Sequence, residues 1–260
     1  MLAIVAALEQ ELAPLRKRLG ARAVEGEAGF RLYRGELSGR PLVLAQTGMG
    51  AARAEAAATS LVKRYELGAI LSVGLAGALK EDLRAGDLLI LSQVHLLEGE
   101  MGQDPPAMSD GLACDRRLVE LAVGAAQQTG LAFQQGASLT VLGLVGQPEL
   151  KRHIGSCLPV EAVEMESYWV GRVAVQHGIP FLALRAISDA VGERLPDLQG
   201  VVDEEGAVQA GRVLPLLLRR PLYAPTLLRL ARDGRRAAQS LATLIEAFVS
   251  GYLANDWRGS

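Results

Sequence analysis

Five carboxylates and one arginine stand where chemistry is a natural reading. Glu164 and Glu166, in Val163-Glu164-Met165-Glu166, lie two apart at the end of an apolar run. At period two they share one face of a strand, and adjacent carboxylates repel unless partnered. Arg185 interrupts FLALRAI, a buried-strand pattern in which an unpaired guanidinium is costly. Glu164 is the partner expected for it. Ser188 and Asp189 close the same run, and Glu9 and Glu11 open a helical stretch in AALEQEL. Each has a plainer role as well. Acids at a helix start complement its dipole, Asp189 suits a helix cap or turn, and Glu164 and Glu166 suit a solvated strand end.

What could bring these groups together is the order of elements. Short apolar runs alternate with helical patterns, which reads as βαβ units around a largely parallel sheet. Strands are expected at Leu2–Ala7, Arg31–Gly35, Pro41–Gln46, Ala69–Val73, Asp87–Gln93, Gly136–Leu144, Val160–Met165 and Pro180–Ile187. Helices are expected at Glu9–Leu19, interrupted by Pro14, and at Gly50–Tyr65, Asp115–Thr129 and Ser167–His177. In open α/β sheets ligands bind beyond the carboxyl ends of the strands. Glu9 and Glu11, the turn Thr47-Gly48-Met49-Gly50, the turn Gly74-Leu75-Ala76-Gly77, Glu164–Ser167 and Ser188-Asp189 all fall there. Carboxylates and glycine turns therefore collect on one edge.

Other chemistries lose their support in turn. Arg53 stands where a dinucleotide fingerprint needs its third glycine, and neither a phosphate-binding P-loop nor a GxSxG elbow occurs. His95, His153 and His177 are scattered without zinc-ligand spacing, so no metal is expected. A net charge of −2 over 260 residues and 4% aromatics speak against nucleic-acid partners. Cys114 and Cys157 read as free thiols of a reducing, cytoplasmic compartment. The N-terminus lacks a basic region before its apolar run, which reads as a strand and not as a signal peptide. A single domain over residues 1–260 is expected.

From about Leu195 the character changes. Residues 211–260 hold eight arginines, no lysine and three acids, a net of +5. Leucine clusters alternate with arginines and are broken by Pro215, Pro221 and Pro225. Packed surface helices are one reading of this basic extension, 195–260. A basic amphipathic element resting on a membrane face is the other.

The ordered set AALEQEL, TGMGAARAEAAA, LSVGLAGAL, RAGDLLI, AVEMES and RAISD resembles the nucleoside phosphorylase superfamily, and within it the 5′-methylthioadenosine/S-adenosylhomocysteine nucleosidases. The resemblance implies a three-layer α/β/α fold around a twisted mixed sheet, here with a helical C-terminal extension. It implies cleavage of a purine nucleoside's N-glycosidic bond without cofactor, in a homo-oligomer. It places the water-activating base on Glu11 and the acid that protonates the purine on Asp189, oriented by Ser188. Glu166, ionised, would hold the ribose hydroxyls with Met165 beside the sugar; Gly48, Gly74, Ala76 and Gly77 would line the ligand, and Glu164 and Arg185 would support it.

The chain departs from that pattern in two places. Leu75 and Ala78 stand where the nucleosidase motif has serine and glycine, and TVLGLVGQ lacks the purine-stacking aromatic, leaving Leu142, Leu144 or Val145. The GLAGAL variant, AVEMES and the Arg/Leu/Pro-rich tail are similar to the hopanoid-associated phosphorylase branch, which implies a lipid-linked adenosine such as adenosylhopane. Phosphate-dependent cleavage, futalosine hydrolysis and a non-catalytic nucleoside-binding or membrane-docking role remain alternatives.

Overall fold

The computed structural model describes residues 1–24, 29–37, 39–196 and 223–254. Strand β1 (Leu2–Ala6) leads into α1 (Glu9–Arg18), then β2 (Arg22–Val24), β3 (Arg31–Leu37), β4 (Arg40–Gln46) and α2 (Ala51–Arg64). There follow β5 (Ala69–Ala78), β6 (Leu88–Glu98), the short β7 (Ala107–Met108) and β8 (Leu112–Ala113), α3 (Arg116–Thr129) and β9 (Phe133–Thr140). The chain continues through α4 (Pro148–Cys157), β10 (Ala162–Glu164), α5 (Ser167–Gln176), β11 (Phe181–Asp189) and α6 (Tyr223–Ala254).

The central strands run in the order β10-β9-β6-β11-β5-β1-β4-β3-β2. Pairing is mixed: β1, β4, β5 and β11 are mutually parallel, whereas β11 meets β6 antiparallel. The sheet also curls on itself. β10 lies parallel to β9 and reaches β5 antiparallel through Ala162–Ala78 and Val163–Gly77, so β5, β11, β6, β9 and β10 form a closed ring. The open sheet of the sequence reading is thus half closed.

That closure explains the main boundary error. Gly74 and Gly77 were expected to end β5 in a turn, but the strand runs on to Ala78 because β11 and β10 both offer it backbone partners. Glycine inside a strand marks a place where another group comes close. Here the groups are carboxylates: a Cβ on Gly74 would lie 3.0 Å from Glu11 Oε1, and one on Gly77 3.1 Å from Asp189 Oδ2. At the other end of the site, β9 stops at Thr140, where the chain turns off to give Val141 N–H to the Glu164 carbonyl. Pro14 lies inside α1 without ending it.

Two helices were read incompletely. α4 escaped notice because its buried face carries Pro148, Lys151, Ile154 and Gly155, a set too mixed to look like an apolar stripe. It covers a second apolar cluster of Leu79, Leu139, Val141, Val145 and Val160. The described part of the basic tail, Tyr223–Ala254, is one 32-residue helix. Pro215 and Pro221 lie outside the described residues, and Pro225 falls in the first turn of α6, a position that tolerates proline. Leu241, Leu244, Ile245, Phe248 and Val249 are buried in the main core against α1, α3 and β11. Leu228, Arg229, Arg232, Arg235 and Arg236 are exposed nearer its start.

The packing of α6 makes a direct prediction. Phe248 is fully buried and stacks on Tyr252. Phe248→Ala should cost about 3–5 kcal/mol of stability by urea denaturation, as for other large-to-small core changes. A helix merely resting on the surface would lose far less.

Candidate active site

Arg185 occupies the middle of β11 with 1% of its surface exposed. Its guanidinium donates to Glu164 Oε2 at 2.7 Å, Ser167 Oγ at 2.6 Å and Ser72 Oγ at 2.9 Å. Glu164 Oε2 also accepts the backbone N–H groups of Glu166 (3.0 Å) and Ser167 (2.7 Å), while the Thr140 hydroxyl donates to Oε1. Burial works against ionising Glu164, but Arg185 and these donors outweigh it and hold the carboxyl below its usual range. The expected Glu164–Arg185 pair is present, and it ties β5, β9, β10, β11 and α5 together.

Glu166 is not beside Glu164 on the strand. β10 ends at Glu164, and Glu166 caps α5 with φ −129° and ψ −31°, so the chain turns between the two carboxylates. Glu166 Oε1 accepts the Gly50 N–H at 3.0 Å, at the start of α2. Gly50 has φ +98° and Gly48 φ +78°, left-handed values that favour glycine. Burial, and then the neighbouring Glu164 charge, push the Glu166 carboxyl up to about 8. A carboxyl raised in this way takes up a proton more readily than an ordinary glutamate. A protonated carboxyl both donates and accepts, so it still suits a pair of hydroxyls.

Glu11 sits in the first turn of α1, 5% exposed. Oε2 accepts the Leu8 N–H at 2.8 Å, which caps the helix, and Oε1 accepts the Leu75 N–H of β5 at 2.9 Å. Burial raises its pKa against the pull of these two N–H groups. The dipole reading suits Glu9 instead, which pairs with Arg16 at 2.8 Å near the surface. The Leu75 side chain packs on the main core and approaches α6, lying 3.9 Å from where a Cβ on Gly234 would be. That packing accounts for an apolar residue at this position.

Asp189 ends β11 opposite Gly77, 4% exposed. Ser188 Oγ donates to its Oδ1 and lies 3.2 Å from the Ala76 carbonyl. Its Oδ2 is paired with Lys151 of α4, a residue absent from the sequence reading. The only signal was a lysine in register with Pro148 and Ile154, at a position a helix buries. Glu11 and Asp189 thus lie against Gly74 and Gly77 of β5, and Glu166 is near enough to Glu164 and Glu11 for both charges to act on it. Met165 packs partly buried on the second cluster, which also takes Val145. Leu142 and Leu144 remain 74% and 61% exposed. Beside Gly48 opens a cleft of about 240 Å³, with Phe30 and Arg31 on one wall and Thr47 and Arg53 on the other. Among the described residues no cluster of His, Cys, Asp and Glu is arranged to hold a metal ion.

Two predictions follow from the buried charges. Arg185→Met leaves Glu164 without a counter-charge and should cost about 3–5 kcal/mol in denaturant melts. For Glu166, a native pKa above the unfolded one means that folding binds a proton. Its stabilising contribution is full below about 4.5 and is lost as pH rises through about 8. Denaturation from pH 5 to 9 should show that decline in the parent chain and its loss in Glu166→Gln.

The chain is similar to known proteins in sequence and in fold. The chain is 29% identical over 227 residues to a 5′-methylthioadenosine/S-adenosylhomocysteine nucleosidase of Staphylococcus aureus, covering 84% of this chain and 99% of that one. The corresponding nucleosidase of Neisseria meningitidis, solved with methylthio-immucillin-A, superposes with a TM-score of 0.74 at 26% identity, covering 95% and 97% of the two chains. Futalosine hydrolase of Helicobacter pylori has the same fold, with a TM-score of 0.74 at 21% identity over 96% and 97%. Residues 1–219 match the Phosphorylase superfamily as a family, and the chain belongs to it.

Proposed function

We propose that this chain is an enzyme that hydrolyses the N-glycosidic bond of a purine nucleoside, adenine being the base. The observation that carries the reading is that Glu11 and Asp189 lie against Gly74 and Gly77 of β5 with Glu166 within electrostatic reach of Glu11, each of the three held by different partners. The nucleosidase relatives support the reaction class. Glycoside cleavage passes through an oxocarbenium-like state, so a base is needed on the side of the nucleophile and an acid on the side of the leaving group. Glu11 takes a proton from water as its oxygen attacks C1′, and its raised pKa makes it a stronger base. The C1′–N9 electron pair passes to the purine, which receives a proton at N7 from Asp189. Glu166 holds the ribose hydroxyls.

Arg31 and Arg53 beside Gly48 favour one second reading, in which phosphate replaces water. Adenine release that depends strictly on phosphate would select it. The reading extends to a lipid-linked adenosine such as adenosylhopane, taken by a homodimer at the cytoplasmic membrane face. Exposed Met101, Leu142 and Leu144, and the leucine and arginines along the start of α6, are its support. No helix among the described residues is long and apolar enough to cross a membrane. A screen of adenosine nucleosides differing at the 5′ substituent, with futalosine and lipid-linked members, discriminates among these substrates.

Asp189→Asn and Glu11→Gln should each lower base release by about 10²–10⁴-fold while retaining nucleoside binding, measured by adenine release and calorimetry. Unchanged turnover in both would remove these two residues from the chemistry, and a parent chain that binds nucleosides without releasing base would leave only a nucleoside-binding role.

A further inference from the structure

Lys151 has no solvent exposure, and its Nζ lies against three acceptors: Asp189 Oδ2, the Ala190 carbonyl at 3.2 Å and the Glu193 carbonyl at 3.4 Å. Three acceptors match the three donors of an ammonium and leave no place for an amine's lone pair. Asp189 in turn accepts at both oxygens, from Lys151 at Oδ2 and from Ser188 at Oδ1. Opposite an ammonium, which only donates, the ionised form of Asp189 is the one that pairs. An ionised carboxylate cannot protonate a departing base. The couple nevertheless contains one mobile proton, held on the lysine.

Stability does not account for this arrangement. Removing two ions from water costs several kcal/mol, and a well-packed apolar pair of similar volume often serves a fold as well or better. Nor is Lys151 free to touch the substrate, since its donors are committed. It acts through Asp189.

We propose that Lys151 is a positioning residue that also stores the proton Asp189 delivers, so that the acid of the reaction is the Lys151–Asp189 couple. The inference rests on the purine nucleosidase reading above. As the C1′–N9 bond breaks and its electron pair passes to the purine, a proton moves from Nζ to Asp189, and the resulting carboxylic acid gives a proton to N7. The base leaves neutral, the lysine is left as its amine, and the proton that Glu11 took from the attacking water passes through solvent to restore the ammonium. Gly77, lacking a side chain, leaves room for Oδ2 beside β5.

The test compares two leaving groups. An adenosine nucleoside needs its base protonated, whereas 4-nitrophenyl β-ribofuranoside releases a stable anion without help. Lys151→Met should lower kcat on the adenosine nucleoside by about a hundredfold or more, and on the nitrophenyl riboside by no more than about threefold, with KM little changed. Arginine keeps the positive charge but does not give up its proton, so Lys151→Arg should show the same split. Should Lys151→Met fail to fold by its thermal melt, Lys151→Arg carries the comparison. Equal losses on both substrates in a folded variant, undiminished turnover of both, or full rescue by arginine would each overturn the proposal. A parent chain that releases no base from any purine nucleoside overturns the functional reading itself, a result distinguishable from these.

Discussion

A guanidinium buried in the middle of a strand governs this fold. Arg185 persists there because Glu164, Ser72 and Ser167 meet it from β5, β10 and α5, and Glu164 is met in turn by Thr140 and two backbone N–H groups. Arg185 Nε has no hydrogen-bond partner, but the contacts of the other guanidinium nitrogens fix β10, β11 and α5 relative to one another. Asp189 lies four residues beyond Arg185 on the same strand, and Glu166 lies two residues beyond Glu164, across the turn into α5. The ion pair thus positions Glu166 and Asp189 while itself staying buried.

The site built on this anchor gathers acids in one low-dielectric corner, and each acid is conditioned differently. Glu164 is kept ionised by a cation. Glu11 is desolvated yet receives two backbone N–H groups, which hold it at the edge between α1 and β5. Glu166 has one N–H donor and a charged neighbour, and so takes up a proton more readily. Groups whose surroundings push their proton affinities apart can take separate acid, base and binding roles. A closed ring of strands brings them together: β11 pairs with β5 and sets Asp189 against Gly77, while β10 returns to β5 and the turn after it carries Glu166 to Gly50.

Much of this was legible in the residues. The strands and long helices follow apolar periodicity, which is strong in a chain so rich in alanine, leucine and valine. Arg185 and Glu164 declared themselves because a charge in an apolar run needs a partner. The glycines at 74 and 77 were noticed but taken for turns. Local pattern distinguishes a turn glycine from a strand glycine only when the strand's neighbours are known. Lys151 was missed for a related reason: on a helix of mixed composition, a buried lysine looks like an exposed one.

The fold class, the family and the order of acids along the strand ends follow from residue type and spacing along one chain. Which acid meets which partner was set by the folded structure. It turned Glu166 away from Glu164, folded the end of the basic tail into the core, and brought Lys151 from α4 to Asp189 on β11, 38 residues apart. Proton affinity depends on burial and on charges a few ångströms away, and those neighbours are set by closure of the sheet.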